Sequence, residues 1–239
     1  TKTGLSFLNV RGASHLDELK EKISDSFLRR MKSEVMDLPE KIIQEVPVEL
    51  SPEYRKRYDS AFDDYVEFLR ANPIEGKNID NVLLARHLVE LQKLEQVCSE
   101  AKITTIFEDV QSATESGEKV VIFTQYRQTL HTIACVLPDT VWLDGSLTTE
   151  QRQEVVDRFQ NGKARVFVGN MQAAGVGITL TAATNVFFAD LDWTPAPHDQ
   201  AMDRCHRIGT TGTVNVRYYV AQDTVEEDIM RMLASKRKV

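Results

Sequence analysis

Cysteine is scarce in this chain: three residues in 239, Cys98, Cys135 and Cys205, with no C-x-x-C spacing among them. That count excludes a disulfide framework and a cysteine-rich zinc site, and it points to a reducing compartment. No apolar run approaches the ~18 residues a membrane-spanning helix needs, and residues 1–30 lack the apolar core of a signal peptide. Neither membrane insertion nor export is expected, and an intracellular setting is. A strong positive charge is also lacking: 29 Lys and Arg stand against 36 Asp and Glu, a net −7. A chain whose sole task is to grip nucleic acid through bulk positive charge would read the other way, so any phosphate contact must be local. Two motifs are missing as well. Nowhere does G-x-x-x-x-G-K-[ST] occur, and no acidic pair follows a buried strand in the manner of a magnesium-holding carboxylate.

What is present divides by period. Up to about residue 115 the pattern is helical: Tyr54, Tyr58, Phe62, Tyr65, Phe68 and Leu69 recur every three or four positions. Ser51 before Pro52 is an N-cap with proline at N1, and Asn72, Pro73 and Gly76 end that helix. A second helical stretch is expected over about 79–115. Ahead of both, a helical segment ends near Leu38 and Pro39, and Ile42 to Leu50 alternates as a half-buried strand within a connector.

From Lys119 the period changes. Short apolar strands, KVVIFT, TVWLDG, ARVFVG, NVFFAD and VNVRYYV, alternate with helices near 126–137, from Thr148 to Asn161, 196–208 and 223–236. Thr148 and Gln151 form a T-x-x-Q capping box, and Asn161-Gly162 is the stop. This alternation predicts an α/β fold: a mostly parallel sheet with helices on both faces, preceded by a helical segment. Ligands of such sheets lie beyond the carboxyl ends of the strands, so the loops after Thr124, Leu143, Gly169 and Asp190 are where chemistry is expected.

Within DWTPAPHDQAMDRCHRIG, a helix over 196–208 at 100° per residue places Arg204 about 40° and Arg207 about −20° from Gln200. Two guanidiniums and an amide on one stripe would clamp phosphate, because the planar fork of arginine holds phosphate oxygens bidentately and stays charged. The alternative is a solvated face on which these arginines pair with Asp199 or Asp203. In GNMQAAGVGITL, Gly175 and Gly177 open a close backbone approach to a ligand; tight packing of a short helix explains them equally well. His198 and His206 have no partner at metal spacing and read as structural, and Asp190 and Asp192 read as turn formers. No metal site is expected.

These segments together, KVVIFTQY, VWLDGSLTTEQRQEVVDRF, VFVGNMQAAGVGITLTAATNVFFADLDWTPAPHDQAMDRCHRIG and VRYYVAQDTVEEDI, resemble the second RecA-like lobe of the Swi/Snf-type DNA-dependent ATPases of helicase superfamily two. Upstream, SFLRRMKSEVMDLPEKIIQEVPVELSPEYRKRY is similar to the family's passage out of the first lobe. The resemblance implies three segments: 1–46, the tail of the first lobe and connector; 47–115, a helical connector; and 116–239, the second RecA-like lobe. It implies an ATP-dependent translocase or remodeller of double-stranded DNA, in which ATP lies between two lobes. The N-terminal ATPase lobe would hold the phosphate loop and Mg2+. Arg204 and Arg207 would act as arginine fingers, with Gln200 in support, and Gly175 and Gly177 would line the cleft. Gln125, Asn170 and Met171 would touch the backbone of the tracked strand. Asn170 and Met171 stand where many members have Ser-Thr, and Thr210 replaces the usual Gln after HRIG. A microbial or viral source implies cytoplasm or nucleoid, a eukaryotic one the nucleus.

Two other readings remain open from the sequence: a non-catalytic RecA-like module that binds DNA or protein, and an RNA helicase lobe. Because the chain carries neither the phosphate-loop lysine nor a magnesium carboxylate, it is expected alone to release phosphate from ATP no faster than buffer, with or without duplex DNA. DNA-stimulated phosphate release by the isolated chain would refute this.

Overall fold

A computed structural model describes residues 15–26, 37–72, 81–174 and 177–237. The chain forms two compact units, Thr1–Asp37 and Leu38–Val239. In the first, helix α1 (Leu16–Ile23) carries Asp17 and Glu18 in its opening turn, where the helix dipole favours them, and Lys22 pairs with Glu18 one turn away. Of the helical segment expected to end near Leu38 and Pro39, residues 27–36 lie outside the described residues, and 37–40 are not helical.

The second unit is built on six strands, β1 (Lys41–Val48), β2 (Val120–Thr124), β3 (Thr140–Leu143), β4 (Val166–Asn170), β5 (Asn185–Phe188) and β6 (Val214–Ala221). They make one sheet in the order β1-β6-β5-β2-β4-β3, every neighbouring pair parallel. Side chains alternate across a strand, so β2, buried along its whole length, feeds two cores. Val121 and Phe123 face one layer, where helices α6 (Thr149–Gln160), α8 (Pro195–Cys205) and α9 (Val225–Lys236) contribute Phe159, Met202 and Leu233. Val120 and Ile122 face the other, covered by Ile106 and Val110 of α4 (Ile103–Glu115) and Leu130 and Ile133 of α5 (Arg127–Val136). Helices α2 (Pro52–Ala71) and α3 (Asn81–Ala101) add a smaller core of Tyr58, Leu94 and Cys98 against Ala221. A four-residue turn of helix, α7 (Met171–Ala174), follows β4. The expected parallel sheet with helices on both faces is thus present.

The start and stop signals act as their chemistry requires. Ser51 Oγ accepts the Tyr54 N–H at 3.4 Å, with Pro52 opening α2, and Asn72 caps its end. Thr148 Oγ1 accepts the Gln151 N–H while Gln151 Oε1 accepts the Thr148 N–H, closing the capping box of α6. At Gly162 a Cβ would stand 2.5 Å from the Arg158 carbonyl oxygen, so only glycine lets the chain turn away there.

Three expectations change. The strand in the supposed connector is a sheet member: β1 pairs with β6 from Lys41↔Val214 to Val48↔Ala221. It is an edge strand, and only its last residues reach the core, which is why Val48 is buried and Ile42 and Ile43 are exposed. The change of period near residue 115 is not a boundary between compact units, because α4 packs directly on the sheet and the unit begins at Leu38. The single helical stretch over 79–115 is two helices broken at Lys102. That residue is fully buried; its ammonium lies 2.5 Å from Glu226 Oε1 and donates to the Tyr219 carbonyl at 3.1 Å. Glu226 Oε2 in turn accepts the Ala221 N–H at 2.8 Å. One ion pair therefore ties the α3–α4 junction to the passage from β6 into α9.

A buried charge stripped of its partner is costly, whereas replacing both partners by apolar groups is often neutral. Lys102→Met is expected to lower unfolding free energy by roughly 3–5 kcal/mol in urea. Lys102→Met with Glu226→Leu should recover most of that loss, and a single variant as stable as the parent would contradict the role of the pair.

Candidate functional site

Because the strands are all parallel, their carboxyl ends share one edge, and the turns leaving β2, β4 and β5 meet there. Asp190, just past β5, is the hub. Its Oδ2 accepts the Thr124 hydroxyl and, at 2.8 Å, the Gln125 N–H. Asn170 Nδ2 donates to the Gln125 carbonyl at 2.9 Å, and Asn170 Oδ1 accepts the Gln172 N–H at 3.1 Å. The Gln125 amide itself donates to the Leu191 carbonyl.

The side chains expected to touch a nucleic-acid backbone are therefore engaged elsewhere. Gln125 and Asn170 sew the turns together. Met171, 1% exposed, is a core residue at the start of α7, where an apolar side chain following a buried strand packs inward. Its side chain cannot reach a strand outside the sheet.

What that edge does present was missed in the sequence. Arg127, Asp144, Gly145, Ser146, Arg152, Asn170 and Gln172 line a cavity of about 750 Å³. Arg127, at the first turn of α5, is 69% exposed, with its Nε 3.2 Å from Asp144 Oδ2. Arg152 donates to the Leu147 carbonyl at 3.2 Å. Burial alone would raise the Asp144 carboxyl, but the Ser146 hydroxyl and amide on Oδ1 and the Arg127 guanidinium outweigh it. They hold Asp144 below the usual carboxylate range. Asp144 thus stays ionised and orients the arginine over the groove. The signal was Arg127 directly after the strand and turn KVVIFTQY, together with Asp144 and Arg152 on either side of the capping box.

Beneath this edge lies a second carboxyl group. Glu95 of α3 is buried, and its Oε2 accepts the Tyr126 hydroxyl at 2.8 Å. Burial pushes the Glu95 carboxyl up to about 7; the Tyr126 hydrogen bond pulls it down and the charges of Glu226 and Asp190 push it further up.

Arg204 and Arg207 lie elsewhere. Helix α8 is the crossover between parallel strands β5 and β6, so it runs against them, and its C-terminal end reaches the amino edge of the sheet. There the Arg204 carbonyl accepts the Leu180 N–H at 2.8 Å, five residues before β5, and His206 Nε2 bonds the Pro39 carbonyl at 2.7 Å, two residues before β1. The expectation that all chemistry gathers beyond the carboxyl ends fails for the arginine pair. So does the single helical stripe. α8 ends at Cys205, and Arg207 sits in the turn beyond it. Thr210 fixes that turn: its Oγ1 accepts the Arg207 N–H at 3.2 Å and donates to the Cys205 and Arg207 carbonyls. Gln200 and Arg207 are exposed and Arg204 is half-buried.

At the start of α8 the turn is closed by Asp192. Thr194 precedes Pro195, and its N–H and hydroxyl both donate to Asp192 Oδ1 at 2.8 Å. His198 Nε2 accepts the Asp192 N–H at 2.9 Å, so Asp192 forms a turn and both His198 and His206 make structural hydrogen bonds. Gly177 adopts φ 73° with open space around it, so its need is for the left-handed backbone, not for room. Gly175 lies outside the described residues. Among those residues no group of three or more His, Cys, Asp or Glu converges to hold a metal ion, and no helix is long and apolar enough to cross a membrane.

Comparison with known proteins agrees with this architecture. Residues 94–209 match the helicase conserved C-terminal domain. An uncharacterised ATP-dependent helicase of Mycoplasma genitalium is 33% identical over 251 residues, 98% of this chain and 24% of that protein. The DNA annealing helicase and endonuclease ZRANB3 of Bos taurus is 33% identical over 97% of this chain and 22% of its own length. The chain thus spans about a quarter of the curated relatives it matches. Among solved structures, the SWI2/SNF2 ATPase core of Sulfolobus solfataricus in complex with double-stranded DNA superposes with a TM-score of 0.70 at 29% identity, over 93% of this chain and 50% of that one.

The raised carboxyl of Glu95 makes a prediction of definite sign. A group protonated more readily when folded lends stability below its unfolded value near 4.5 and loses it as pH rises through about 7. Glu95→Gln removes that loss. The variant is expected to match the parent near pH 4 and to exceed it above pH 8 by an amount on the order of 3 kcal/mol in urea unfolding. An equal difference at both pH values would refute the assignment.

Proposed function

Since this chain is a Swi2/Snf2-type C-terminal helicase lobe, built on the RecA-like parallel sheet, we propose that it serves a two-lobe ATPase driven by double-stranded DNA. Its two edges then work on two partners. The amino edge offers Arg204 and Arg207, supported by Gln200, to the γ-phosphate of an ATP held by the N-terminal ATPase lobe. That lobe would supply the phosphate loop and Mg2+. The carboxyl edge offers the Arg127 and Arg152 groove to a DNA backbone.

The observation that carries this reading is the exposed, rigidly held turn at Arg207. A finger works in trans, so it belongs on a surface facing another lobe, not in the crevice where a sheet binds its own ligand. Its guanidinium must also be placed before charge develops on the transferring phosphoryl group; such fingers are worth about 10³–10⁵ in turnover. The bonds of Thr210 and His206 support that placement. Gly177 lies on the segment between α7 and β5 that leads to this edge.

For the carboxyl edge, phosphate binding requires counter-charge at the surface, and Arg127 is the exposed arginine of that lining, 69% in solvent. The duplex held by the Sulfolobus relative favours DNA over RNA as the occupant. Residues 38–115 then act as support for the lobe as well as connector, since β1 and α4 are packed into it.

The two edges are separable by kinetics. In an enzyme carrying this chain with its first lobe, Arg207→Ala is expected to cut DNA-saturated ATP turnover at least about tenfold while sparing ATP binding. Arg127→Ala should instead raise the DNA concentration for half-maximal stimulation several-fold with turnover at saturation little changed. Turnover unaffected by Arg207→Ala would remove the finger, and an unaltered DNA requirement would remove the groove.

A further inference from the structure

Glu95 is an unexpected residue where it stands. It occupies a buried position on α3 between Leu91, Leu94 and Cys98, where an apolar side chain would pack without the cost of burying a carboxyl group. Charged groups surround it: Asp190 from the end of β5, Glu226 from α9 and, beyond Glu226, Lys102 from the α3–α4 junction. Its Oε2 accepts a hydrogen bond from the Tyr126 hydroxyl, 31 residues along the chain, and Trp193 also bonds the carboxyl group. Tyr126 stands between Gln125, which is tied to Asp190, Leu191 and Asn170, and Arg127, the exposed cation of the groove. Moving the Tyr126 ring moves the backbone that aims Arg127. Local rules of burial broken without local gain are expected at functional positions.

We propose that Glu95 is a positioning residue for the carboxyl-edge groove. From α3 it holds the β2–α5 turn, by way of Tyr126, in the arrangement that presents Arg127 to duplex DNA. The proposal rests on the DNA reading of that groove and adds to it a residue that touches no DNA. It also gives α3 a task beyond support, because any displacement of that helix is carried into the turn by the hydrogen bond between the buried Glu95 carboxyl group and the Tyr126 hydroxyl.

The test is duplex binding by the full chain, read as fluorescence anisotropy of a labelled double-stranded oligonucleotide, with amide hydrogen exchange over residues 124–127 as the structural readout. Glu95→Ala and Tyr126→Phe are both expected to weaken binding at least about fivefold and to speed exchange at Gln125 and Tyr126. Glu95→Gln, whose amide oxygen accepts the same hydroxyl, should bind within about twofold of the parent. Tyr126→Phe carries the test if Glu95→Ala does not fold, since it removes a single oxygen atom. A parent chain that binds duplex while Tyr126→Phe binds it equally well overturns this proposal alone. So does a Glu95→Gln variant as weak as Glu95→Ala. A parent chain that binds no duplex overturns the DNA reading of the groove and this proposal with it.

Discussion

Six parallel strands impose a direction on everything attached to them. Every turn that leaves a strand emerges at the carboxyl edge, and every crossover helix returns its C-terminal end to the amino edge. Parallel pairing therefore sorts the side chains of this lobe into two populations before any chemistry is considered. Arg127, Asp144, Arg152 and Asn170 fall on one side, and Arg204, Arg207 and Thr210 on the other. On the proposed function, a lobe that meets both a nucleotide held by another domain and an extended polymer needs two such surfaces, separated by a stiff element so that motion at one is felt at the other. The sheet, buried on both faces, is that element.

Buried polar links make the stiffness extend into the helices. Lys102 and Glu226 fasten the α3–α4 break to the β6–α9 passage, and Asp190 gathers the turns after β2 and β5. Arg217 of β6 reaches Asp109 of α4 at 2.9 Å, and the Tyr219 hydroxyl donates to the same carboxylate. Low local dielectric strengthens such bonds and penalises any one left unmade, which selects a single arrangement of helices on the sheet. An apolar core alone would tolerate several.

Much of this was legible in the sequence because it is written in short-range patterns. The five apolar strands after Lys119, the cap at Ser51-Pro52 and the capping box at Thr148 each depend on neighbours a few residues apart. The edge strand β1 was readable as a strand, but its partner lies more than 170 residues away, so its place in the sheet was not. The break at Lys102 was hidden for the same reason: a lysine within a helical pattern looks solvated until Glu226 is brought to it. At the sites, residue types were legible but directions were not. Met171 sits beside Asn170 in the chain and points into the core. Gln125 follows a strand at the right edge, yet its amide faces Leu191. Arg207 follows Arg204 at helical spacing, although the helix has already ended.

The claim on which the account stands is that nucleotide and nucleic acid occupy opposite edges of one parallel sheet. Its most direct measurement is a structure of the two-lobe enzyme with duplex DNA and a non-hydrolysable ATP analogue. The account predicts the Arg207 guanidinium within hydrogen-bond distance of the terminal phosphate at the amino edge, and DNA phosphates in the groove of Arg127 at the carboxyl edge. Nucleotide and duplex found together at a single edge would contradict it.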